Sequence, residues 1–172
     1  VEGEWKTRIV SKDLKVKHKK PAASTHSKVP AIADFRLLVA STNLQDSEVW
    51  ASDFKCAFLQ SFKWKRREWR VIKLWDPDTK TWGYYLCCGV VYGDQEGAAE
   101  WHHTLSTGLK EIDFIECKNA ESIYYHAEWG IRISVHVDDP LIKFYKRKPD
   151  WQATRDRFMK LMNDKLVLKG WT

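Results

Sequence analysis

The chain has 172 residues, 44% of them hydrophobic, a formal net charge of +6 and a pI of about 9.1. That length fits one domain, or two small lobes on a shared core. No run of 18 apolar residues occurs and no signal peptide is visible, so a membrane-spanning helix is excluded and an intracellular protein is expected.

In chain order, Trp5 to Ser11 alternates and predicts a strand, and the basic, polar stretch Asp13 to Lys28, with Pro21, predicts a loop. Ile32, Phe35, Leu38 and Val39 recur at helical spacing and predict a helix from about Ala31 to Asn43. Val49 to Phe54 reads as a strand with Val49, Ala51 and Asp53 on one face, followed by a short helix over Cys56 to Phe62. Trp69 to Trp75 and Trp82 to Cys88 form a hairpin around the turn residues Asp76-Pro77-Asp78-Thr79-Lys80. Trp101, Leu105, Leu109 and Ile112 mark one stripe of a helix over about Gln95 to Ile112.

Ser122 to Ala127 and Ile131 to Val137 are strands joined by Glu128-Trp129-Gly130. Pro140 marks a tight turn, and Leu141 to Phe144 returns as the paired strand. Pro149 opens the last helix, with Trp151, Phe158, Leu161 and Met162 facing inward. Helices and strands mix without regular βαβ alternation and without a repeat, so the expected class is α+β, an antiparallel sheet packed on helices.

The charge is clustered. Lys12 to Lys20, Lys63 to Arg67 and Lys143 to Lys148 are basic runs that suit a polyanionic partner. Ten Trp residues supply packing, with some available for base stacking or interfaces. Cys56, Cys87, Cys88 and Cys117 lack CxxC spacing, which argues against a structural zinc site and for thiols in a reducing compartment. His102, His103, His126 and His136 form no ligand spacing of the H-E-x-x-H kind.

Asp138 and Asp139 stand side by side after the alternating run Ile131–Val137. Adjacent carboxylates repel unless a cation sits between them. A third carboxylate, Asp53, would complete an oxygen-ligand site of the kind that takes Mg²⁺ or Mn²⁺. The surrounding blocks carry a resemblance. Lys6-Thr7-Arg8-Ile9-Val10 is similar to the "KARLV" strand of copia-type LTR-retrotransposon reverse transcriptases, and Asp53 to Leu59 to their "DVKTAFL". Tyr92 to His102 resembles "YGLKQAPRAWY", and His136-Val137-Asp138-Asp139 resembles "YVDD". The four blocks come in the family's order and cover most of the chain.

The resemblance implies a palm with partial fingers: about 1–48 and 62–91 fingers-like, about 49–61 and 92–172 palm-like, without thumb or RNase H. It implies RNA-directed DNA polymerase activity, with Asp53, Asp138 and Asp139 as catalytic metal ligands for two Mg²⁺ or Mn²⁺ ions. Template-primer and an incoming deoxynucleotide would be the partners. Lys6 and Arg8 would approach the triphosphate, Phe58 would exclude a ribose 2′ hydroxyl, and Gln95 and Glu96 would lie beside template and nucleotide.

The chain departs from the pattern where Gln95, Glu96 and Ala99 stand for the family's Lys, Gln and Arg, His136 for its Tyr, and Pro140 for an apolar residue. The chain starts at Val1 and stops at Thr172, which suggests a fragment or processed product. A second reading is therefore open: a degenerate or domesticated copy acting as a non-catalytic nucleic-acid-binding or structural subunit of a larger assembly.

Overall fold

The structure, a computed structural model, describes Val10 and residues 27–61, 70–87, 90–94 and 96–166. Within these lie three α-helices, α1 (Ile32–Ala40), α2 (Gly97–Lys110) and α3 (Trp151–Lys165), and a 3-10 turn at Ala57–Gln60. The strands are β1 (Ser47–Ala51), β2 (Arg70–Asp76), β3 (Thr81–Cys87), β4 (Ile115–Glu116), β5 (Ile123–His126), β6 (Ile131–His136) and β7 (Asp139–Tyr145). Five strands make one antiparallel sheet in the order β1-β7-β6-β5-β4, and β2 pairs with β3 alone. Mixed α and β with an antiparallel sheet is the class expected from the sequence.

Alternation places the core. On β6, Ile131, Ile133 and Val135 are buried while Arg132 and His136 are exposed. Register sets Ile131 opposite Phe144 and Ile133 opposite Ile142, so these side chains share one face of the sheet. Trp101, Leu105 and Leu109 of α2, and Phe158 and Met162 of α3, recur every fourth residue and complete that core. Burying each such side chain stabilises the fold by roughly 1.5–3 kcal/mol.

The other face of the sheet carries α1, held differently from the prediction. Of the expected stripe, only Leu38 is buried, whereas Ile32, Phe35 and Val39 are exposed. What ties the helix down is Lys143 on β7, fully buried, whose Nζ donates to the Ser41 carbonyl at 2.6 Å and to Ser41 Oγ at 3.3 Å. Ser41 is the C-cap of α1, so the ammonium meets the negative end of the helix dipole. Of the Lys143–Lys148 run, Lys143 is thus withdrawn from the surface, while Arg147 and Lys148 stay exposed. Lys146 Nζ donates to the Leu44 carbonyl and lies over the Trp151 ring, and Arg147 pairs with Asp46.

Several boundaries move. The predicted strand through Phe54 ends at Ala51, so Asp53 lies beyond it rather than in its alternation. Pro140 is not at the turn. It sits inside β7 opposite Val135, near the strand start, where the missing N–H is tolerated. The turn is Val137-Asp138. Pro149 precedes the N-cap Asp150 and so does not open α3. The two-residue β4 was not anticipated, being too short to carry a pattern. The helix expected over Cys56 to Phe62 is a single 3-10 turn. Of the predicted Trp5–Ser11 strand, Val10 forms a parallel bridge to Tyr92, and the rest lies outside the described residues, as do the Lys12–Lys20 and Lys63–Arg67 runs. Among the described residues, no helix is long and apolar enough to cross a membrane, and Cys56 and Cys117 are free thiols.

Candidate functional site

At one end of the five-stranded sheet, the segment after β1 is laced onto the β6–β7 hairpin. Ser52 N–H donates to the Pro140 carbonyl at 3.2 Å, and Phe54 N–H donates to the Asp138 carbonyl at 2.8 Å. The backbone of Asp53 is therefore carried alongside that of Asp138. Both side chains are half-buried.

A third element locks the junction. Trp101 of α2, 1% exposed, donates its indole Nε1–H to the Val137 carbonyl at 2.7 Å and packs edge-on against Phe54, ring centroids 5.1 Å apart. One buried ring thus touches the residue after Asp53 and the residue before Asp138.

Val137 has φ +58. In the two-residue loop between His136 and Asp139, a positive φ at the first central position is the II′ pattern, which suits glycine. A β-branched residue there stores strain of order 1–3 kcal/mol. The Trp101 hydrogen bond and the packing around Phe54 hold it in place. Strain of this kind is concentrated at functional sites, and here it lies directly before the paired aspartates.

Asp139 is exposed and lines a cavity of about 440 Å³ on the α1 side of the sheet, together with Ile32, Phe35, Ala51, His136 and Leu141. The structure brings the backbones of Asp53 and Asp138 together and turns Asp139 toward this mostly apolar space. Among the described residues, no three His, Cys, Asp or Glu side chains are grouped so as to hold a metal ion. The donors have the right chemistry for a hard cation, which takes oxygen ligands.

Phe58, in the 3-10 turn, is half-buried and leans its ring on Tyr92 at 5.1 Å. Glu96 lies immediately before α2. That helix start is acidic: Asp94 is buried and accepts the Val91 N–H at 3.0 Å, and Glu100 lies in the first turn. Carboxylates here complement the positive helix end, and they also compete with any phosphate approaching it. Lys6, Arg8 and Gln95 lie outside the described residues.

Two of the histidines, His126 and His102, are engaged in packing, while His103 and His136 are exposed. His126, 6% exposed, stacks on Trp129 with centroids 4.1 Å apart, and its Nδ1 accepts the Trp129 N–H. Burial lowers its pKa. His102 is lowered for the same reason, and its Nε2 lies 3.4 Å from the Tyr124 hydroxyl, whose own pKa burial pushes up to about 12.

Sequence reasoning missed the Trp101 clamp. Trp101 appeared as one member of a helical stripe and inside the Tyr92–His102 block, and neither indicates that one ring spans two acidic segments. Comparison with protein-family models, with curated proteins and with solved structures finds no match to this chain.

Proposed function

We propose that the chain is a reverse-transcriptase-type palm with partial fingers, whose site is the sheet end where Asp53 meets Asp138. The observation that carries the reading is the mutual contact of the four sequence blocks. Val10 bridges Tyr92, Phe58 leans on Tyr92, Phe54 hydrogen-bonds Asp138, and Trp101 clamps Val137. The contacts gather the four blocks at one end of the sheet, as a shared site requires.

In this reading the class of reaction is RNA-directed nucleotidyl transfer. Asp53 and Asp138 hold negative charge where a divalent ion would be recruited, Asp139 lies beside them, and Phe58 backs the nucleotide position. The reading requires a cation to offset the mutual repulsion of the three carboxylates. That requirement, and the acidic start of α2 around Glu96, favour a second reading: a non-catalytic nucleic-acid-binding or structural subunit built on the same fold.

Primer extension on an RNA template with Mg²⁺ or Mn²⁺ separates them. Extension is expected to be weak in the parent chain, raised by Glu96→Gln with Ala99→Arg, and abolished by Asp138→Asn. Extension that survives Asp138→Asn refutes the polymerase reading. No extension even from the Glu96→Gln, Ala99→Arg protein favours the subunit.

A further inference from the structure

The β2–β3 ribbon presents an unusual face. Cross-strand register pairs Val71 with Leu86, Lys73 with Tyr84 and Trp75 with Trp82, and directly opposed residues share a side. All five apolar side chains of this face are exposed, Trp82 by 57% and Tyr84 by 71%. Exposed large apolar side chains grouped on one face are a common feature of binding sites. A lone two-stranded ribbon is also marginal in water, so an occupant that covers this face would stabilise it.

The chemistry of the face selects the occupant. Lys73 Nζ lies 5.0 Å from the centroid of the Trp82 ring and 5.6 Å from that of Tyr84, a cation held among rings. A protein partner would have to bury that ammonium at the centre of its interface, where lysine is depleted and desolvation is costly. A polynucleotide meets both groups at once, bases stacking on rings and phosphate on the cation. Successive side chains on one face of a strand are about 7 Å apart, so Trp82 and Tyr84 offer neighbouring platforms to an extended strand. A duplex hides its base faces and cannot use them.

We propose that this face binds single-stranded nucleic acid, unpaired bases stacking on Trp82 and Tyr84 while Lys73 meets the backbone phosphate. The binding needs no divalent ion and does not depend on the aspartate site.

The test is anisotropy of a fluorescein-labelled 12-nucleotide single strand, titrated with the full chain in EDTA at low salt, with a blunt duplex of the same sequence as competitor. The parent is expected to bind the single strand, and the duplex to compete weakly. Trp82→Thr and Tyr84→Thr, which keep strand propensity, should each weaken binding at least about fivefold, the lower end of one base's stacking. Tyr84→Phe should retain it, and Lys73→Gln should flatten the salt dependence. Circular dichroism of each variant checks that the ribbon persists, and Tyr84→Phe against Tyr84→Thr keeps the test decisive if Trp82→Thr unfolds. No binding by the parent, or equal binding by parent and Tyr84→Thr, overturns the proposal. So does a self-association that the ring variants abolish, since a second copy would then cover the face. Because EDTA is present, success or failure here is separate from that of primer extension.

Discussion

Replacing Trp101 by Phe tests whether one ring holds the two acidic segments together. The variant keeps an aromatic ring against Phe54 but removes the Nε1–H that reaches the Val137 carbonyl at 2.7 Å. A half-buried carbonyl left unpaired costs about 1–2 kcal/mol. The smaller ring leaves a void of roughly 40 Å³, worth about 1 kcal/mol if the site does not collapse. Together these come to about 2–3 kcal/mol, which for a chain of this size lowers Tm by roughly 5–10 °C. Thermal and urea unfolding followed by circular dichroism measure it. Hydrogen exchange supplies the local readout, since the Phe54 amide bonded to the Asp138 carbonyl should exchange faster as the hairpin loosens. A Tm drop below about 2 °C with unchanged Phe54 exchange would refute the clamp.

Lys143→Met should leave the core intact but free α1. The Ser41 carbonyl loses its ammonium donor, and local opening worth about 1–2 kcal/mol should speed chymotryptic cleavage within residues 32–44 roughly tenfold, read by mass spectrometry. Unchanged cleavage would show that α1 is held by its apolar contacts instead. For pH, burial depresses His126 below its ordinary value of 6.5 in the fold, whereas the unfolded chain takes up the proton at 6.5. The unfolded state then binds more protons as pH falls, so stability is complete above about 6.5 and declines below it until the folded group also titrates. His126→Phe should flatten Tm against pH below about 6.5, leaving the part due to His102, and identical slopes in parent and variant would remove His126 as a cause.

Local pattern was enough for the elements whose periodicity one face of the core enforces. Ile131, Ile133 and Val135 alternate because a strand with one buried face must, and Trp101, Leu105 and Leu109 recur because a helix laid on that face must. The Asp76–Lys80 turn was legible for a similar reason, since its residues favour a turn by their own chemistry. The four blocks that suggested a shared site were also readable in one dimension.

What they do when folded was decided by long-range partners that no local pattern encodes. Lys143 looked like one cation in a basic run suited to a polyanionic partner until β7 paired with β1 and carried it under Ser41. Ile32, Phe35 and Val39 had the spacing of a buried stripe, yet burial needs an opposing surface, and beside α1 the sheet leaves a cavity in its place. Pro140 moved from turn to strand because a II′ loop at Val137-Asp138 completes the hairpin one residue earlier. That same loop carries the backbone of Asp138 to that of Asp53 and leaves Asp139 lining the cavity on the α1 side. Adjacent residues on a chain share a neighbourhood in sequence, but a turn between strands can point them to different faces, and only the fold determines which.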